Sequence, residues 1–236
     1  MRLTIIGCSP AWPNPGGAQS GYLVEAGGNR LLLDCGPGVL SRLRLAEPWP
    51  LVDGIVLSHL HLDHSGDLWG WLWGLLGGPG RGLVGPELWL PRGGRGELER
   101  SAPAGAFAQA FTLREYDEHE PFAVAGFSLR ARLVPHYDVT AFALRVERDG
   151  KALAYSGDSA PSDALVEIAR DTDLFLCEAT LAEPEVGDVV GHLTAAEAQE
   201  VARRANARRL VLTHRSAEWP VPDGVETARD GLVLDL

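Results

Sequence analysis

Short apolar runs separated by turn signals dominate the first third of the chain. Runs of apolar and β-branched residues bounded by Gly, Pro, Asn or Asp are typical of β-strands. On this pattern we predict strands over residues 3–6, 22–25, 30–34 and 54–57. Two helices are predicted in the same region, one over residues 39–46 and one over the tryptophan-rich stretch 67–78.

Strand and helix patterns alternate through the rest of the chain. Residues 77–96 are rich in Gly and Pro, which indicates an irregular loop or a lid with one short strand at residues 87–90. The apolar pattern then predicts strands over residues 127–134, 139–146, 152–155, 174–177 and 210–213. It also predicts helices over residues 162–169 and 195–205, the second with Thr194 as N-cap and Glu197 as capping-box partner.

This order of elements predicts an α+β fold. Strands come first and β/α units follow, which suggests layered sheets with helices on the outside. No change of composition and no linker divides the sequence, so we expect a single domain over residues 1–236.

Composition and charge narrow the classes of function. The 45% apolar and 22% charged fractions are ordinary for a globular protein. The formal net charge of −11 weighs against a broad basic face for a long nucleic acid or a membrane surface. The three cysteines form no Cys-x-x-Cys pair, no signal peptide is evident, and the longest apolar run is too short to cross a bilayer. We therefore expect a cytoplasmic protein.

Histidines supply the strongest chemical signal in the sequence. Three of the seven lie in His-Leu-His-Leu-Asp-His at residues 59–64, directly after a predicted buried strand. His59 and His61 alternate with leucine, so in an extended segment both point to the same side. Asp63 and His64 follow where the chain turns, so the segment can present two ligand pairs to two adjacent cations. Imidazole nitrogen and carboxylate oxygen suit zinc, with manganese or iron as alternatives.

This segment resembles the signature of the metallo-β-lactamase superfamily, His-x-His-x-Asp-His after a strand. Other stretches resemble further family motifs in the same order: Asp34-Cys35-Gly36, His136 in LVPHYD, Asp158 in YSGDSA and His214 in VLTHRS. The resemblance covers nearly the whole chain. It implies the αβ/βα four-layer fold, in which two mixed β-sheets pack between helices.

The same resemblance implies a ligand set for two divalent cations, zinc first and manganese as the alternative. One cation takes His59, His61 and His136. The other is bound by Asp63, His64 and His214, while Asp158 and a water bridge the two. Asp63 also helps to position the attacking hydroxide. His119 lacks such a context and is predicted to be a solvated loop residue.

Two further residues indicate a class of reaction. Glu178 follows a predicted strand in FLCEAT, and His192 precedes a capped helix in GHLTAAEA. They resemble a pair in ribonuclease Z and its phosphodiesterase relatives, in which a glutamate orients a histidine that protonates the leaving alkoxide. A carboxylate fixes the ring tautomer and keeps the imidazolium available as general acid. Leu193-Thr194 departs from the Ser-Thr of ribonuclease Z.

The spacing between two motifs bears on the substrate. Ribonuclease Z carries a tRNA-gripping arm between the histidine and aspartate that correspond to His136 and Asp158, which here are only 22 positions apart. A predicted hairpin uses up this interval, so no arm is expected. The chain most resembles the short, atypical class II cyclic-nucleotide phosphodiesterases of bacteria, which implies a small phosphodiester substrate. A tRNA 3′-processing endoribonuclease and a lactone or ester hydrolase are the alternatives.

The sequence allows more than one role for three tryptophans and two polar residues. Trp69, Trp71 and Trp73 form either a stacking surface for a base or a helix that packs on the sheet or on a second subunit, and the second interpretation is favoured. Their alternation does not match one helix face, so some rings should be exposed, and a homodimer is predicted. Ser20 and Arg215 are candidate phosphate contacts.

Overall fold

Two β-sheets packed face to face between helices form the architecture seen in the computed structural model, which describes residues 1–220 and 223–236. Within these residues each sheet has seven strands. The predicted α+β class and the four-layer arrangement are confirmed.

The first sheet is mixed. In spatial order its strands are β14 (Val233–Asp235), β1 (Arg2–Gly7), β2 (Gly21–Ala26), β3 (Asn29–Leu33), β4 (Gly54–Val56), β5 (Glu87–Pro91) and β6 (Thr112–Tyr116). Strands β14 to β3 pair antiparallel, and β3 to β6 pair parallel. The helices of this half of the molecule are α1 (Val39–Leu43), α2 (Leu62–Ser65), α3 (Leu68–Gly77), α4 (Gly94–Ser101) and α5 (Ala106–Ala110).

The second sheet is mixed as well. In spatial order it contains β13 (Glu226–Thr227), β12 (Leu210–Thr213), β11 (Leu174–Glu178), β10 (Lys151–Tyr155), β9 (Ala141–Arg148), β8 (Phe127–Val134) and β7 (Phe122–Val124). Strands β10 to β13 pair parallel, and β9 is antiparallel to both of its neighbours. Helices α6 (Asp163–Ile168) and α7 (Ala195–Arg204) cover its outer face.

Three apolar clusters hold the layers together. The cluster between the sheets includes Tyr22, Phe127 and Tyr155, all at most 1% exposed. Burying such a side chain contributes about 2 kcal/mol relative to leaving it in water. The other two clusters lie outside the sheets, one under α1, α3 and α5 and one under α6 and α7. Each sheet is therefore packed against apolar side chains on both of its faces.

Two local predictions are confirmed in atomic detail. Asp149 and Gly150 form the turn between β9 and β10, and both have positive φ (53° and 72°), as a tight hairpin requires. Thr194 caps α7 through its hydroxyl, and Glu197 completes the capping box.

The Gly/Pro-rich segment is irregular over residues 78–86, which is one of its two predicted forms. Its strand is present as β5, but α4 begins inside it at Gly94, and α5, β6 and β7 follow where no element was predicted. Within this stretch Gly80 lies against Trp49, since a Cβ on Gly80 would lie 2.6 Å from the Trp49 ring, whereas residues 81–84 are exposed. Apolar residues are sparse in α4, so its sequence carries little helical periodicity.

The tryptophan-rich helix α3 packs on the first sheet, in agreement with the interpretation that the sequence favours. Trp71 is buried against Trp49 with ring centroids 5.3 Å apart, and Trp69 packs edge-on against Phe107. Trp73 is 52% exposed, as expected for some of these rings. The homodimer stays a prediction. Among the described residues, no helix combines the length and apolar character needed to cross a bilayer.

Candidate metal centre

Seven candidate ligands meet at one edge of the two sheets. The 59–64 segment follows β4, while His136, Asp158 and His214 follow β8, β10 and β12. Strands β8, β10 and β12 run in the same direction, so their carboxyl ends lie at one edge. The loops after strand ends are where a rigid scaffold presents functional side chains. Each of the seven predicted residues is brought into this site.

The first cluster consists of His59, His61, His136 and Asp158. His61 Nδ1 lies 3.1 Å from His59 Nε2 and 3.0 Å from His136 Nε2. Asp158 Oδ2 lies 3.8 Å from the Nε2 atom of both His59 and His136. His61 is half-buried and the other three are buried, so this cluster faces solvent on the His61 side.

The second cluster consists of Asp63, His64, Asp158 and His214, all buried. Asp63 Oδ2 lies 3.1 Å from His214 Nε2 and 3.5 Å from His64 Nε2. Asp158 Oδ2 lies 3.2 Å from His64 Nε2. The same Asp158 oxygen thus faces both clusters, as expected of a bridging carboxylate.

The donor atoms fit divalent cations. His64 Nε2 and Asp158 Oδ1 are buried and have no hydrogen-bond partner among the described residues. Buried polar atoms are rarely left unpaired, and each such atom indicates a partner. In the first cluster His61 Nδ1 faces two other imidazole nitrogens at 3.1 and 3.0 Å, and a single proton on it could satisfy only one of them. Both clusters are therefore suited to binding divalent metal ions.

Asp34 organises the histidines from behind. Its Oδ2 accepts a hydrogen bond from His64 Nδ1 at 2.7 Å, from Ser58 Oγ at 2.8 Å and from Tyr155 OH at 2.6 Å. Ser58 Oγ in turn contacts His59 Nδ1 at 3.0 Å. These bonds occupy the Nδ1 atoms, so both rings turn Nε2 toward the clusters. Outer hydrogen bonds of this kind fix ligand orientation and raise ligand basicity.

Gly36 allows the turn after Asp34 to lie close to the His59–His64 segment. A Cβ on Gly36 would lie 1.9 Å from the Asp63 carbonyl oxygen, which no side chain tolerates. Cys35 N also donates to His64 O at 2.7 Å. The turn after Asp34 therefore touches the backbone of the ligand segment.

Glu178 and His192 form the predicted pair. His192 Nδ1 lies 2.8 Å from Glu178 Oε1, and Glu178 is fully buried. The other oxygen, Oε2, accepts a hydrogen bond from Thr180 Oγ1 at 2.8 Å, and Thr180 Oγ1 lies 2.8 Å from His214 Nδ1. One carboxylate thus orients both His192 and, through Thr180, a histidine of the second cluster.

The protonation states of the first cluster favour ligation. Burial lowers the pKa of His59, His61 and His136 below the ordinary value, and neighbouring imidazoles add to the effect. Neutral imidazole is the form that binds a metal ion.

In the second cluster, neighbouring groups oppose the effect of burial on the pKa values of the ligands. Burial alone would raise the pKa of Asp63, but hydrogen bonds from His214 and His64 outweigh it and lower the pKa. Burial disfavours a charged His64, yet Asp158 and Asp34 raise its pKa above the ordinary value. The second cluster therefore keeps its carboxylate ionised and has strong affinity for positive charge.

His192 has a pKa suited to proton donation. Burial lowers this pKa, but the Glu178 carboxylate outweighs burial and raises it to about 9. Its ring centroid lies 5.0 Å from that of His136 and 5.8 Å from that of His214, so it stands beside both clusters. At neutral pH it carries a proton next to the candidate centre.

A second support for His192 has no motif in the sequence. Glu185 accepts hydrogen bonds from the backbone N–H groups of Gly191 (2.7 Å) and His192 (3.2 Å) and from Tyr137 OH (2.8 Å). Tyr137 has φ of 50°, and a Cβ on Gly191 would lie 2.4 Å from its ring. Only the contacts of the folded chain reveal this link, because Tyr137 and Glu185 are 48 positions apart.

The side chains of the remaining candidates lie outside the two clusters, although Ser20 N donates to Asp63 O at 3.1 Å. His119 is exposed, as predicted. Ser20 is fully buried, and Arg215 lines a separate cavity that none of the seven clustered residues lines. The structure thus places neither Ser20 nor Arg215 among the clustered side chains.

Comparison with known proteins agrees with this geometry. A family model described as the beta-lactamase superfamily domain matches residues 29–215. An uncharacterized protein of Mycobacterium tuberculosis is 36% identical over 222 residues, which cover 91% of this chain and 80% of that protein. The probable metallo-hydrolase YhfI of Bacillus subtilis is 30% identical over 91% of this chain and 86% of its own length.

A solved structure and a named enzyme are also similar to this chain. The crystal structure of YhfI superimposes with a TM-score of 0.87 over 99% of both chains, at 25% identity. A ribonuclease Z of Haloferax volcanii is 28% identical and is aligned over 93% of this chain and 86% of its own length. The chain therefore belongs to the metallo-β-lactamase superfamily of hydrolases.

Proposed function

We propose that this chain is a metal-dependent phosphodiesterase that hydrolyses a small phosphodiester, with a cyclic nucleotide as substrate class. Each cluster would hold one divalent cation, zinc or manganese, and Asp158 could serve as a ligand to both. A bound cation pair lowers the pKa of a bound water to about 7 and neutralises phosphoryl oxygens.

The pair of Glu178 and His192 carries this proposal. A phosphodiester has a poor alkoxide leaving group, whose departure is accelerated by a proton donor. His192 supplies that proton, because its pKa of about 9 keeps it protonated at neutral pH. Glu178, 2.8 Å away, holds the ring tautomer and stabilises the imidazolium. Asp63, in the second cluster, would help to position the attacking hydroxide.

The interval between His136 and Asp158 supports a small substrate. Strands β9 and β10 and their two-residue turn occupy most of it, which leaves no room for a tRNA-binding arm. The net charge of −11 also disfavours a long polyanion. The likeness to a ribonuclease Z supports phosphodiester chemistry.

A substrate panel tests the proposal. The purified chain, loaded with zinc or manganese, is assayed with cyclic AMP, bis-p-nitrophenyl phosphate, a tRNA precursor and a lactone. We expect turnover of the two small phosphodiesters. The same panel on chelated protein provides the blank. Replacement of a histidine outside the clusters should not change the activity, and His119→Ala checks this because His119 is exposed.

Other results would redirect or remove the proposal. Cleavage of the tRNA precursor together with a gel shift would favour an endoribonuclease. Turnover of the lactone alone would favour an ester hydrolase. No turnover of either small phosphodiester with any divalent metal would contradict the phosphodiesterase.

A further inference from the structure

A cavity of about 360 Å³ lies beside the metal centre and is separate from it. Its wall comes from the segment after β1, the residues around His214 and the segment before β14. Thr213 and Arg215 line it, whereas His214 between them turns its Nε2 toward Asp63. A volume of this size is within the range of small-ligand sites.

Positive charge dominates the cavity lining. Arg42, Arg215 and Arg229 contribute guanidinium groups, and Asp230 is the one carboxylate among the described lining residues. Asp230 is already engaged, since its Oδ2 lies 3.0 Å from Arg42 Nη2 and accepts a hydrogen bond from Ala18 N at 2.8 Å. The cavity therefore keeps an excess of positive charge in a chain whose net charge is −11.

Arg215 is the unusual member of this lining. It is only 8% exposed, and buried charges in proteins are normally paired with an opposite charge. Its guanidinium instead donates to the carbonyl oxygens of Ala179 (3.4 Å), Trp219 (3.4 Å) and Pro220 (2.8 Å). Within residues 1–220 and 223–236 no carboxylate pairs with it. Carbonyl groups orient the guanidinium but leave its charge uncompensated.

The geometry points to a binding site for a phosphate group in this cavity, held by the buried Arg215 and the exposed Arg229. Arginine suits this ligand because its planar fork of N–H donors matches two phosphate oxygens. An occupant would supply the negative charge that the lining lacks. The site does not depend on the proposed hydrolysis, since none of the clustered ligands lines it.

Calorimetric titration tests the site. Inorganic phosphate is titrated at fixed ionic strength into the metal-loaded chain and, separately, into the chelated chain. We expect one saturable phosphate per chain that persists after chelation, because the cavity needs no metal. Adenosine 5′-monophosphate is titrated in parallel, and tighter binding than inorganic phosphate identifies a nucleotide as the source of the phosphate group.

Two exposed arginines give a matched pair of variants. Arg229→Gln should weaken phosphate binding by about 1.5- to fivefold, the range of one exposed ion pair. Arg100→Gln removes the same charge from α4, outside the cavity, and should leave the affinity unchanged. Equal affinities in Arg229→Gln and the parent chain, or no saturable phosphate in the chelated chain, would overturn the inference.

Discussion

The two clusters of the centre share Asp158 but are supported differently. In the first cluster, His136 contacts the Gly191 carbonyl, and His59 reaches the Asp34 carboxylate only through the Ser58 hydroxyl. In the second, His64 contacts the Asp34 carboxylate directly, and His214 reaches Glu178 through Thr180. The second cluster is also fully buried, whereas His61 leaves the first half-open.

This difference predicts two unequal metal sites. Carboxylates behind a ligand raise its basicity more than neutral groups do, so the second cluster should bind its cation more tightly. The half-open first cluster should lose its cation first to a chelator and is the side from which a substrate can enter. Each of the following variants tests one part of this comparison.

Removal of the shared carboxylate should have the largest effect. Asp158→Ala takes a ligand from both clusters, so we expect loss of metal from both and activity below detection. Elemental analysis and turnover of bis-p-nitrophenyl phosphate measure the two effects. Asp235→Ala removes an exposed carboxylate from β14 and should change neither. Retention of two metal ions by Asp158→Ala would show that Asp158 is not a shared ligand.

His192 stands beside both clusters, so its removal separates proton donation from metal binding. His192→Ala should slow cyclic AMP hydrolysis by about 10²- to 10⁴-fold, the usual contribution of a general acid. The effect on bis-p-nitrophenyl phosphate should be much smaller, since p-nitrophenolate leaves without a proton. Metal content should stay at the parent level. An equal loss on both substrates would argue against a general acid.

Asp34 supports the first cluster only through Ser58, but it contacts His64 of the second cluster directly. Asp34→Asn should lower the metal affinity of that cluster by about 10- to 100-fold and leave the first cluster less affected. Competition with a chromogenic chelator gives the two affinities. Asp67→Asn is the matched control, because Asp67 is a half-buried carboxylate that accepts from Leu40 N on α1 and touches neither cluster. Equal weakening of both sites would remove the distinction.

Glu178 connects the second cluster to the acid, so it sets a pH limit. The carboxylate raises the pKa of His192 to about 9, and the protonated ring is the active form. Activity should therefore fall as pH rises through the pKa of His192 in the metal-loaded protein. Glu178→Gln removes the raising influence and should move this basic limb to lower pH. A pH–kcat profile with an unmoved limb would contradict the assignment of His192.

The smallest effect is expected at Tyr137, beside the first cluster. Tyr137→Phe removes the hydrogen bond to Glu185, which steadies the backbone of His192. The net worth of one such bond is about 1 kcal/mol, so kcat should fall by about fivefold with metal content unchanged. Glu185→Gln should reproduce the direction of this change. A change in KM alone would indicate a substrate contact instead.

Sequence patterns predicted the parts of the molecule that repeat or that carry ligand chemistry. Strand β8 alternates buried and exposed residues, and β12 is a compact apolar run, so both were predicted with their bounds. The His59–His64 segment was recognisable because metal ligation needs fixed residue types at fixed spacing. His136, Asp158 and His214 were located by family resemblance and their place after strands.

Other parts depend on contacts that no local pattern encodes. Helix α4 has only Gly94 and Leu98 buried, and α5 is five residues long, so neither shows a clear helical period. Thr180 connects Glu178 to His214 only because β11 and β12 lie side by side. The charge imbalance around Arg215 likewise arises from the packing of distant segments.

The hydrogen bonds of Asp34 have one more consequence. They join β3 to residues 24 and 30 positions further along the chain, so the protein's own contacts hold the histidine rings in place. Small zinc-finger domains, by contrast, acquire their structure only when the ion arrives. A preassembled pocket of this kind can be emptied and refilled in the folded state. Ions bound there could thus be exchanged for cobalt, whose visible spectrum would report on each half of the centre in turn.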